Sequence, residues 1–187
     1  MTKINRMLVA EFLGTFLLAS AVLNGFNPFI ALGILVLLFG SISGANVNPA
    51  VSAGLASVKK LTTDKMFMFW VVQILGAIAA RAVFAYLTDS DFGSFEFAEI
   101  EGREFVSEIL GTGVFLFGIV MAVAHKLDGI KLAAAVGGSL FLGAAFGSVL
   151  NPAIALALQE TPVSALLGPV IGGILGASAA HMVMSKK

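Results

Sequence analysis

The chain has 187 residues, 58% of them hydrophobic, and a mean hydropathy of +1.00. Only 12% are charged and the net charge is zero, whereas a soluble domain carries about 25% charged residues and a nucleic-acid binder a basic surplus, so neither class fits. There is no cysteine, which removes disulfides and thiolate metal sites, and the length suits one domain.

A helix that crosses a bilayer needs about 20 mostly apolar residues. The first such stretch is 7–24, preceded by Lys3 and Arg6. Ala19-Ser20-Ala21 resembles a signal-peptidase site, but the run carries Glu11, and Glu11-Phe12-Leu13-Gly14-Thr15 recurs later as Glu108-Ile109-Leu110-Gly111-Thr112. A disposable segment has no reason to be duplicated. The second stretch, 27–43, is at the short end. A piece at 48–57 is too short to cross and begins Asn48-Pro49-Ala50. The third span, 66–87, contains Arg81 and carries Trp70 and Tyr86 near its two ends, where aromatic residues anchor in the interface. An acidic loop follows, with Asp89, Asp91, Glu96, Glu99, Glu101 and Glu104. Then come spans at 105–124 and 131–147, a second short piece at 151–159 that begins Asn151-Pro152-Ala153, and a last span at 163–184.

The sequence therefore predicts an all-α membrane protein: six transmembrane helices plus two half-helices, in a single transmembrane domain over residues 1–187. Its repeats are about 7–88 and about 104–184. Glu11 and Asn48 lie 37 residues apart and Glu108 and Asn151 lie 43 apart, so the second repeat carries extra residues. Three spans per half is an odd number, which turns the second half upside down relative to the first. Inverted repeats with interrupted segments at matching positions point to a transport site at the bilayer midplane. Nine of the 11 basic residues (Lys3, Arg6, Lys59, Lys60, Lys65, Lys126, Lys131, Lys186 and Lys187) fall on one side of the six-span plan. The positive-inside rule puts that side, and both termini, in the cytoplasm. The short loops fit a bacterial inner membrane.

Asn is a preferred N-cap and Pro is favoured at the first helical position, so each Asn-Pro-Ala reads as a helix start at membrane depth. Irregular backbone is tolerated there only where protein buries it or it lines a wet cavity. Inverted halves bring the two starts together, with their macrodipoles aimed at one point and the asparagine amides able to donate to a passing oxygen. Glu11 and Glu108 are ionisable residues inside spans, where a proton relay is one reading. Their symmetric placement favours the other, in which each accepts hydrogen bonds from the irregular backbone near its half-helix. Gln73 falls in the same scaffold class. The span glycines suit close helix approach. His125 and His181, without cysteine, make a poor metal set.

Ser43-Gly44-Ala45-Asn46-Val47-Asn48-Pro49-Ala50-Val51 resembles the first signature of the aquaporin (major intrinsic protein) family. Ala10-Glu11-Phe12-Leu13-Gly14-Thr15-Phe16 is similar to its first helix, Gln73 with Gly76-Ala77 to its third, and Gly168-Pro169 with Gly172-Gly173 to its sixth. The resemblance implies the hourglass fold and a homotetramer in the lipid bilayer with one pore per subunit. It also implies passive flow of water or small neutral permeants such as glycerol or urea, with ions excluded and no cofactor or nucleic acid. Two residues depart from the family pattern. Asn46 replaces a usual histidine, and Ile154 stands where most members have the arginine of the outer selectivity filter. Gapless counting carries the other filter positions onto Pro28 or Phe29, Ser139 and Ser148. A coupled secondary transporter is the alternative, but it needs an ion site or titratable relay at the midplane. An intramembrane serine protease built on Ser41-Ile42-Ser43-Gly44 and His181 lacks the expected glycine and would break into the first half-helix.

Overall fold

A computed structural model describes residues 1–95, 97–159 and 162–185; Glu96 of the acidic loop and Lys186 and Lys187 of the basic set lie outside the described residues. The described residues form eight helices: α1 (Lys3–Leu23), α2 (Pro28–Phe39), α3 (Pro49–Ser57), α4 (Thr63–Thr88), α5 (Gly102–Ala124), α6 (Gly129–Ala144), α7 (Pro152–Leu158) and α8 (Val163–Met184). Four of them, α1, α4, α5 and α8, are long and apolar enough to cross a membrane. With α2 and α6 they make the six spans, and α3 and α7 are the half-helices.

The second and fifth spans are shorter than the apolar runs that predict them. α2 has 12 residues, a rise of about 18 Å at 1.5 Å per residue, against the run 27–43. The helix is stopped by its own C-terminal chemistry. Ser43 N donates to Phe39 O and Gly44 N to Gly40 O in closing turns, and Gly44 then leaves helical space at φ 98°. The apolar residues that follow belong to the irregular approach to α3. α6 ends the same way, in turns from Ala145 to Gly147, with Gly147 at φ 74°.

Packing follows the repeats. α1 lies along α4 and α5 along α8, while each half-helix reaches into the other half: α3 packs on α8 and α7 on α4. Gly76 of α4 faces the Phe12 carbonyl of α1, and Gly172 of α8 faces the Ile109 carbonyl of α5, which is the same contact made twice. Between the halves, Gly54 of α3 meets the Gly173 carbonyl and Gly173 meets the Ala50 carbonyl. Without water between helices, such small-residue contacts carry membrane packing through van der Waals fit. The polar residues Glu11, Gln73 and Glu108 are buried, whereas Leu13, Leu17, Leu75 and Leu110 are exposed, as a lipid solvent requires. Beyond α4, Arg81 donates through Nε to Phe92 O and through Nη2 to Asp91 O, and Gln159 at the end of α7 donates to the same Phe92 carbonyl at 2.6 Å. That explains an arginine within the third apolar run: it pins the following loop against the second half-helix.

The glycine crossing between α3 and α8 is testable. A Cβ on Gly54 would stand 2.7 Å from Gly173 O, and one on Gly173 would stand 2.7 Å from Ala50 O; Gly138 has nothing within 4 Å. Backbone carbonyls cannot rotate away, and overpacking costs about 1–3 kcal/mol. Gly54→Ala and Gly173→Ala are each expected to lower the melting temperature of the detergent-solubilised protein by several degrees, and Gly138→Ala to leave it unchanged. Thermal unfolding followed by size exclusion checks all three.

Candidate functional site

The two half-helices meet end to end. Asn48 Oδ1 accepts from Ala50 N at 2.8 Å and Asn151 Oδ1 from Ala153 N at 3.0 Å, the capping bond expected of each. The amide nitrogens then cross over. Asn48 Nδ2 donates to Leu150 O at 2.8 Å and Asn151 Nδ2 to Val47 O at 3.0 Å. Each asparagine therefore caps its own helix and braces the strand of backbone that leads into the other. Pro49, Ala50, Pro152 and Ala153 are buried behind this junction.

The braced segments are strained. Val47 sits at φ 43° and Leu150 at φ 61°, in a left-handed region that costs a β-branched or bulky side chain about 1–3 kcal/mol. Two carboxylates hold them there. Glu11 Oε2 accepts from Val47 N at 2.7 Å and Oε1 from Asn46 N at 3.0 Å and Ser43 Oγ at 2.6 Å. Glu108 accepts from Val149 N at 2.8 Å and Leu150 N at 2.9 Å. Gln73 Nε2 joins the first cradle, donating to Glu11 Oε2 at 2.7 Å and to Ser52 Oγ at 3.1 Å. Asn46 Nδ2 reaches the same Ser52 hydroxyl at 3.3 Å. Trp70 is drawn in as well. Its indole N–H donates to Pro49 O at 2.8 Å, so it supports the first turn of α3 instead of anchoring in the interface, while Tyr86 stays 86% exposed.

Two cavities lie against the junction. The first, of about 180 Å³, is lined by Asn48 and Asn151 and by Pro28, Phe29, Ser148 and Ile154, four of the five residues expected at the filter. Ser139 is the correction. It lines neither cavity: its hydroxyl donates to Ala135 O at 2.6 Å and packs against Gly118 of α5. Leu140 and Ala144 are the α6 residues on the cavity wall. A gapless count back from Asn151 crosses the turns between α6 and α7, and each position of error rotates a helical residue by about 100°, which is enough to turn it off the wall. The second cavity, of about 330 Å³, opens among Gly40, Ser43, Leu55 and Lys60. The first cavity has no charged lining residue and the second has only Lys60. The pattern of the sequence does not mark Leu32, Phe115 or Leu140 as lining residues, because an apolar residue at helical spacing reads as core or lipid contact.

Residues 25–180 match the family model described as Major intrinsic protein. The chain is 34% identical to a probable glycerol uptake facilitator protein of Thermotoga maritima, over 91% of this chain and 96% of that one. That alignment runs over 227 residues, more than this chain contains, so the relative carries internal insertions. Aquaporin Z of Brucella melitensis is 40% identical over 41% of each chain. Among solved structures, the aquaglyceroporin from Plasmodium falciparum superposes with a TM-score of 0.70 at 24% identity, over 94% of both chains.

The carboxylate cradles give a prediction at each end. Glu11→Gln and Glu108→Gln both put an amide N–H where the carboxylate accepts from donors, leaving a buried N–H unpaired at a cost of about 1–3 kcal/mol. Both variants are expected to melt several degrees lower. Hydrogen exchange should accelerate in the peptide spanning 43–50 for the first and in that spanning 146–153 for the second. Unchanged exchange in those peptides would sink the cradle role.

Proposed function

This chain belongs to the major intrinsic protein family and acts as a passive channel rather than an enzyme, and we propose that it passes water together with glycerol-sized neutral solutes through the two cavities, past Asn48 and Asn151 in the first. The observation that carries this is the chemistry of the path. An amide has two N–H donors, and each asparagine spends one on the opposite backbone, which leaves one for a permeant oxygen. The donors stand on an uncharged wall that also carries Ile154, Phe29, Pro28 and Ser148. A carbon chain that bears hydroxyls matches a wall with apolar and polar faces. The name of the Thermotoga maritima relative fits this permeant class.

Ions are excluded in this reading because entry strips their hydration, while the half-helix starts present N–H groups to a cation and the wall offers no counter-charge. The basic residues on one side support a bilayer orientation with both termini cytoplasmic, in a bacterial inner membrane. The family resemblance supports a homotetramer with one pore per subunit. Glu11, Glu108, Gln73 and Asn46 serve as scaffold, and no cofactor takes part.

Proteoliposomes test the permeant. After mixing with hyperosmotic solute they should shrink and stay shrunken in sucrose, but reswell in glycerol and urea faster than empty vesicles. Ile154→Arg restores a planar fork of donors and a charge to the mouth. It is expected to cut glycerol and urea flux far more than water flux; equal loss of both would remove position 154 from the filter. For the junction, Asn48→Ala or Asn151→Ala withdraws a donor from a narrow path. An unmade hydrogen bond costs about 1–3 kcal/mol, so flux at equal folded protein should fall at least several-fold. Near-normal flux in both variants would end the donor assignment.

A further inference from the structure

The two cavities share three lining residues and no others: Leu32 of α2, Asn46 of the loop before α3, and Phe115 of α5. Of the residues expected at the filter, Pro28, Ser148 and Ile154 line the first cavity alone, and Phe29 lines it and a third cavity, of about 410 Å³, but not the second. These residues border the first cavity and not the second, and the waist common to both cavities is lined by Leu32, Asn46 and Phe115. We propose that this waist, and not the mouth, sets the size and shape cut-off of the channel. The proposal rests on the channel reading above.

The waist is built to hold its shape. Phe115 and Leu32 are 1% and 3% exposed and belong to the main hydrophobic cluster. Asn46 is tied at both ends, its backbone N–H to Glu11 Oε1 at 3.0 Å and its amide nitrogen to Ser52 Oγ at 3.3 Å. A close-packed interior yields little to a larger guest, so the opening is fixed by the three side chains. Its chemistry is mixed, an amide together with an aromatic ring and a leucine. A solute with hydroxyls along one edge and carbon along the other can keep one hydrogen bond to Asn46 and put its C–H groups against Phe115 and Leu32. The class selected is thus linear polyols and small amides of limited girth. A mouth that lacks the family's arginine does not set this limit; the waist does.

The test is a ratio, not a rate. Stopped-flow reswelling of proteoliposomes gives the permeability of erythritol relative to glycerol for wild type, for the waist variants Leu32→Ala and Phe115→Leu, and for the mouth variants Phe29→Ala and Ile154→Ala. The waist variants are expected to raise the erythritol-to-glycerol ratio at least threefold, and to raise it more than either mouth variant does. A ratio that responds equally or more at the mouth overturns the proposal, as does one that neither waist variant moves. Leu32→Val is the milder substitute should Leu32→Ala run as aggregate on size exclusion, and the same threshold applies to the folded waist variants. Failure of the underlying channel reading looks different, because wild type would then pass glycerol no faster than empty vesicles.

Discussion

Two stretches of chain must stay non-helical at the depth of the membrane, and everything else in this molecule answers the demand their backbone makes. Val47 and Leu150 have left-handed conformations and N–H groups that no helix can satisfy. In hydrocarbon an unpaired amide costs several kcal/mol. Glu11 and Glu108 meet that demand from the first helix of each half, and the crossed asparagine amides satisfy the carbonyls of the same residues. Both polar groups of each strained residue are therefore spoken for. With them fixed, the Asn-Pro-Ala starts have one position relative to each other, and a gap between them can have a defined chemistry.

The halves solve this problem with unequal means. Around Glu11 the chain supplies Ser43, Gln73 and Ser52. Counting on from the two Asn-Pro-Ala starts, the place of Ser43 is taken by Phe146 and that of Ser52 by Ala155. Thr15 donates to Glu11 O at 2.8 Å, while Thr112, its counterpart, has a buried hydroxyl oxygen without a hydrogen-bond partner. The first loop is thus held by a buried side-chain network, whereas the second, besides Glu108, is tied by serine–backbone bonds, from Ser107 Oγ to Phe146 O and from Ser148 Oγ to Ser107 O. The two halves share the carboxylate and the asparagine and differ in the groups one step further out.

What the sequence made legible follows the same division. The six spans, the half-helices and the glutamates could be read because each is a local pattern that occurs twice, and two copies at matching positions leave little room for chance. The shortness of α2 could not be read, since apolar residues at 40–43 look alike whether they continue a helix or unwind toward Asn46. Trp70 looked like an interfacial anchor because nothing local says that the Pro49 carbonyl lies beside its indole. Ser139 was assigned by counting, and a helix punishes a one-residue error with a large rotation. Leu32 and Phe115 had no signal at all. Their importance comes from which two cavities they separate, a property of the assembled tertiary fold and of no segment within it.

An isoleucine at position 154, where the family resemblance implies an arginine, would shift the burden of discrimination in a physically specific way. A guanidinium at the mouth would repel cations and narrow the entrance with one side chain; Ile154 does neither. Ion exclusion then falls to desolvation, which a wall without fixed charge supplies over the whole length of the first cavity, and to the N–H groups at the half-helix starts. Exclusion by size falls, in our proposal, to the waist at Leu32, Asn46 and Phe115. That place is set by buried side chains packed in the core, whereas a mouth residue stands at the rim of the open cavity. A filter of that kind is harder to alter by surface drift, and it discriminates by girth and by the pattern of hydroxyls along a solute instead of by charge at the door.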